Sequence, residues 1–129
     1  MIVWKMGLVA IGSALVLASC GSSGGGSSDN CTPKGAGTGT ANQTVKVVSD
    51  PNTVGKFDPA SVSVTKGQSV EWDFQDTGAQ HSVTSDDNTT FDSCLQSAGA
   101  KFIVTFNTAG DFKYHCTIHA QMTGDVKVS

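Results

Sequence analysis

The chain has 129 residues, 38% hydrophobic and 15% charged, enough apolar material for one small globular core. Eight Lys stand against eleven Asp plus Glu, Arg is absent and no Lys run occurs, so nucleic acid is not the expected partner. No Gly-rich run follows a strand pattern as a phosphate loop would, which leaves the chemistry to four Cys, three His and three Met.

The chain starts with a leader pattern over residues 1–19. Lys5 gives a weak positive start, and Gly7 to Ala18 is an apolar run too short to span a bilayer comfortably. The run ends in Leu17-Ala18-Ser19-Cys20, which resembles the bacterial lipoprotein box. That resemblance implies a lipidated Cys20 and an exported protein anchored to an envelope membrane, on the periplasmic or extracellular face. The competing reading is an ordinary signal peptide with a coincidental Cys. With Lys5 removed, seven Lys oppose eleven acidic residues, a side-chain balance of −4. Residues 20–40 are Gly/Ser-rich and read as a tether, because Gly21 to Asn30 carry no apolar side chain to bury.

Residues 41–129 read as one domain built on period-two alternation. Val45 and Val47 alternate with polar neighbours, as do Val62 and Val64, then Val70, Trp72 and Phe74. Phe102, Val104 and Phe106 follow, then Phe112 and Tyr114, then Val126 and Val128. Pro51, Gly55, Pro59, Gly67, Gly78, Gly99 and Gly110 punctuate these runs. Several short strands separated by turn signals predict an all-β sandwich, with Trp72 and the Phe residues in its core. Asp86-Asp87 reads as a solvated loop after a strand rather than an acidic docking patch.

One motif dominates the C-terminal part. Cys116, His119 and Met122 lie within seven residues, and His81 lies upstream. One thiolate, two imidazoles and a thioether are the donor set of a blue-copper electron-transfer site, where the thioether is a weak axial ligand. Cys116 ends a strand-like run from Asp111, and Thr123 to Ser129 reads as the returning strand, so three donors sit on a short connection. Zinc motifs instead carry two close ligand pairs. His115 should point to the opposite face of the strand from Cys116 and is left out of the site. With Cys20 and Cys116 assigned, Cys31 and Cys94 remain; an exported setting permits a disulfide between them, and two free thiols stay open.

The stretch His81 to Val128, with His81-Ser82-Val83-Thr84, Phe91-Asp92-Ser93, Gly110 to Cys116 and Met122-Thr123-Gly124, resembles the plastocyanin and amicyanin branch of the cupredoxins. The resemblance implies a small antiparallel Greek-key β-sandwich of seven to eight strands. It implies one copper ion held by His81, Cys116, His119 and Met122. It also implies a backbone N–H of Ser82 aimed at the Cys116 sulfur, a contact that tunes the potential. Two positions depart from the pattern: Ala120 stands where Pro is frequent after the second His, and Ser82 where Asn is frequent. The implied function is single-electron transfer by a monomer between a donor and an acceptor protein, without enzymatic activity of its own. The rival readings are copper storage or delivery, and an electron-entry subunit of an oxidoreductase.

Overall fold

The computed structural model describes residues 30–129; the leader, Cys20 and the first part of the tether lie outside the described residues. Eight strands follow in order: β1 (Gln43–Asp50), β2 (Val54–Asp58), β3 (Ser61–Val64), β4 (Gln68–Phe74), β5 (Thr84–Ser85), β6 (Lys101–Phe106), β7 (Gly110–Cys116) and β8 (His119–Val128). They form two four-stranded sheets, β2-β1-β4-β6 and β3-β8-β7-β5. The all-β sandwich of seven to eight strands is therefore present. Its sheets are mixed rather than wholly antiparallel, since β1 pairs parallel with β4 and β3 with β8. The cause is connectivity: β2 takes one edge of β1, the chain crosses to the other sheet as β3, and β4 returns by a crossover to the free edge of β1.

Alternation does what the sequence pattern requires. Val45, Val47, Val62, Val64, Val70, Trp72, Phe74, Phe102, Val104, Phe106, Tyr114, Val126 and Val128 are all buried between the sheets, with Phe112 packed at their margin. Trp72 is fully buried, stacks on Phe91 at 5.7 Å and meets Tyr114 edge-on at 5.3 Å. Removing such an aromatic costs ~3–5 kcal/mol in a comparable core. Two buried polar atoms have no hydrogen-bond partner among the described residues, Trp72 Nε1 and the Tyr114 hydroxyl. Burial pushes the Tyr114 phenol well above its ordinary value.

The N-terminal segment is attached to the sandwich earlier than the tether reading places it. Cys31 and Cys94 form a disulfide with Cα atoms 5.8 Å apart. Lys34 exchanges two backbone hydrogen bonds with Asp92, at 2.8 and 3.0 Å, and the Gly37 N–H donates to the Ile103 carbonyl at 2.6 Å. Gly35 is what lets the segment come so close: at φ 74° its missing Cβ would lie 2.5 Å from the Thr90 carbonyl oxygen. The composition of residues 31–37 resembles a linker, but the small side chains serve close backbone contact.

Candidate metal centre

Strand β7 delivers Cys116 inward, in step with Tyr114 two residues before it, and turns His115 the other way. His115 Nδ1 instead meets Asp86 Oδ1 at 2.7 Å on the outside. The connection is shorter than the sequence suggests, because β8 already begins at His119 and only Thr117-Ile118 turn between the strands. The ladder then shifts: Cys116 pairs with His119, and His115 with Thr123. Ala120, Gln121 and Met122 fall between these two pairs without partners of their own, and the resulting bulge buries the Met122 side chain. His81 comes from the segment between β4 and β5, where it exchanges two backbone hydrogen bonds with Gln96 at 3.1 and 2.8 Å.

Three donor atoms converge. His81 Nδ1 and His119 Nδ1 are 3.1 Å apart, and Cys116 Sγ is 3.9 Å from the first and 3.6 Å from the second. The point equidistant from the corners of a triangle with these sides of 3.1, 3.6 and 3.9 Å lies about 2.1 Å from each atom. Typical metal bonds to imidazole nitrogen and thiolate are about 2.0–2.3 Å long, so an ion of transition-metal size fits without moving the donors. The Met122 sulfur and the His81 ring pack over the same point of β2: a Cβ on Gly55 would come within 3.0 Å of both the Met122 Sδ and the His81 Nε2.

A sequence model of copper binding proteins, plastocyanin/azurin family, matches residues 43–129. The chain belongs to this family. Among solved structures, the cupredoxin is similar to a purple cupredoxin from Nitrosopumilus maritimus, 26% identical over 65% of this chain and 98% of the other, with a TM-score of 0.54. It shares its fold with an oxidized mutant of amicyanin, at 22% identity, 66% and 81% coverage and TM-score 0.55. A mutant fern plastocyanin gives 24% identity, 67% and 99% coverage and TM-score 0.52. No curated protein sequence matches significantly. Copper is thus the cofactor of the family, and the two imidazoles, the thiolate and the thioether are a donor set that one copper ion fits.

The cupredoxin surrounds these donors with hydrogen bonds. The Ser82 N–H reaches the Cys116 Sγ at 3.4 Å. Asp76, which the sequence reading missed, accepts from His81 Nε2 at 2.6 Å and from the Gly78 N–H at 2.8 Å. With Nε2 donating to a carboxylate, Nδ1 keeps its lone pair toward the centre. The hydrogen bond from His81, helped by the Gly78 amide, holds the Asp76 carboxyl below its usual range. The only signal in the sequence was a carboxylate five residues before a ligand candidate.

The surface divides around His119. His81, Cys116 and Met122 are buried, whereas the His119 ring is half-buried. Ile118 beside it and Val54 beside Gly55 are the large hydrophobics most exposed among the described residues, at 52% and 55%. The Asp86-Asp87 loop is not a free acidic patch. Asp86 pairs with His115, and Asp87 accepts from the Thr89 and Thr90 amides and the Ser85 and Thr90 hydroxyls. These hydrogen bonds, that of the Thr90 side chain foremost, hold the Asp87 carboxyl far below its ordinary value.

Proposed function

We propose that this cupredoxin is a one-electron carrier whose copper is held by His81, Cys116, His119 and Met122. The observation that carries the reading is the donor triangle, whose centre lies at metal-bond distance from all three atoms. Copper supplies a Cu(I)/Cu(II) couple that soft sulfur and borderline imidazole donors accept in both states. The chain's own contribution is rigidity. Cys116 and His119 are paired across the β7–β8 ladder, and His81 is held by Gln96 and Asp76. Donors fixed by backbone pairing rearrange little between the two states, which favours fast exchange.

The half-buried His119 ring, with the exposed Ile118 next to it, is the electron port in this reading. An uncharged, easily desolvated patch suits the brief, low-area encounters of redox partners. Storage or delivery requires donors that let go, and the burial of His81, Cys116 and Met122 to 2% exposure or less opposes it. The setting we propose is the cell envelope, with the chain exported and anchored through a lipidated Cys20, acting as a monomer between a donor and an acceptor protein. The Leu17-Ala18-Ser19-Cys20 sequence supports that setting.

The test is the visible spectrum of the copper-loaded protein. The parent should show an intense thiolate-to-Cu(II) band, and Cys116→Ser should lose it. A Cys116→Ser variant that keeps the band would sink the assignment. Intact mass of the exported protein tests the anchor: a mature N-terminus other than acylated Cys20 removes it.

A further inference from the structure

The Cys116 thiolate is one end of a hydrogen-bond chain whose other end is the disulfide. Asp92 Oδ1 accepts the Cys94 backbone N–H at 2.8 Å and the Thr84 hydroxyl at 3.1 Å. A carboxylate only accepts, so the Thr84 proton is committed to it, and Thr84 Oγ1 must accept from Ser82 Oγ at 3.0 Å. Ser82 Oγ then has only lone pairs to offer. They receive the Thr117 backbone N–H at 2.9 Å and the Thr117 hydroxyl at 3.1 Å. Asp92 therefore sets the direction of every bond in the chain, from Thr117 through Ser82 and Thr84 to the carboxylate. The Ser82 N–H, pinned by this arrangement, points at Cys116 Sγ at 3.4 Å. Ser82 and Thr84 are 1% and 2% exposed, so solvent cannot substitute for a missing partner.

The backbone that carries this carboxylate is itself held from outside. The Asp92 N–H donates to the Lys34 carbonyl at 3.0 Å, and the Lys34 N–H donates to the Asp92 carbonyl at 2.8 Å. The Cys31–Cys94 disulfide bolts the same two stretches together. Cys31 and Lys34 precede residues 43–129, the part that matches the family.

We propose that Thr84 and Asp92 are positioning residues for the Cys116 thiolate, and that the segment from Cys31 to Lys34 belongs to the same device as its outer clamp. The proposal rests on the copper reading above. An N–H dipole aimed at sulfur stabilises the state with less positive charge on the centre, so it favours Cu(I). Loosening Ser82 should lower the reduction potential.

The test uses the full-length chain in both metal-free and copper-loaded forms. In Thr84→Val, Ser82 loses its acceptor. The expected results are stoichiometric copper uptake, a lowered potential (a tenfold change in the Cu(I)/Cu(II) affinity ratio is about 59 mV) and a displaced charge-transfer band. In the metal-free protein the Ser82 and Thr117 amides should exchange with solvent about tenfold faster, the weight of one lost hydrogen bond. Thr84→Ser, which keeps the hydroxyl, should restore all of these. Unchanged potential, band and amide exchange in Thr84→Val overturn the proposal. A Cys31→Ser/Cys94→Ser double variant tests the clamp without touching a buried hydroxyl, and decides the matter if Thr84→Val does not fold. The same changes in smaller measure support the clamp, and parent values refute it. A parent that takes up no copper as a blue centre overturns the copper reading instead, and the metal-free amide exchange still decides whether the chain of bonds holds Ser82.

Discussion

Gly55→Ala is the most demanding test of how the centre is packed. The new methyl would lie 2.4 Å from His81 Cε1, 3.0 Å from His81 Nε2 and 3.0 Å from Met122 Sδ. Carbon atoms settle about 3.5–4.0 Å apart, so the imidazole must retreat by roughly 1 Å or more. Methionine can swing aside. His81 cannot, because Asp76 holds its Nε2 at 2.6 Å and Gln96 holds its backbone on both sides. Metal bonds tolerate about 0.2 Å of error. Overpacking of this kind costs ~1–3 kcal/mol. At about 1.4 kcal/mol per decade, that is roughly 5- to 150-fold if it falls entirely on the loaded form. Competition for Cu(II) with a chelator measures that share, and the melting temperature of the metal-free protein measures the rest. A variant that binds Cu(II) within about twofold of the parent, with the same spectrum and melting temperature, would refute the close packing of β2 on the imidazole.

Met122→Leu should retain copper with little loss of stability, since the swap nearly conserves volume. Voltammetry should show a raised potential, because losing a weak donor costs Cu(II) more than Cu(I); a lowered potential would contradict ligation by Met122. Tyr114→Phe removes a buried hydroxyl without a partner and should leave stability unchanged or raise it by ~1 kcal/mol. The Tyr114 phenol titrates above its ordinary value in the folded chain, so its contribution is intact below about pH 10 and is lost as the pH rises beyond it. Urea unfolding at about pH 8 and about pH 11 should therefore show a decline in the parent that is smaller in Tyr114→Phe, and equal declines would be the wrong result. Ala120→Glu, beside the proposed port, should slow electron exchange measurably. An unchanged rate, together with a large loss in an Asp86→Asn/Asp87→Asn variant, would move the port to the acidic loop.

Much of this architecture is written in the alternation of apolar residues, because each sheet buries one face and period two is the only pattern that fits it. The residues that escaped were those whose role is to leave space or to reach across the fold. Gly55 reads as a turn signal, yet it occupies an inward position of β2 whose side-chain volume is taken by the imidazole and the thioether. The parallel pairing of β1 with β4 depends on which edges the hairpin leaves free, which no local pattern records. Cys116, His119 and Met122 were legible because they lie within seven residues of sequence, and His81 because the donor set lacked an imidazole. Asp76 and Thr84 were not, since a carboxylate or hydroxyl bonded to a distant partner looks in sequence like any other surface residue.

The shifted ladder at the end of the sandwich separates two kinds of adjustment. Cys116 and His119 face each other on one side of the shift, and His115 and Thr123 on the other, so the positions of the thiolate and the second imidazole are set by strand pairing. Ala120, Gln121 and Met122 answer to neither register. Lengthening or shortening this stretch by a residue would alter how the thioether approaches while the other donors stay in place. For anyone re-engineering the protein, the bulge is a dial on the thioether alone, and strand pairing on either side of it keeps the remaining donors out of the adjustment.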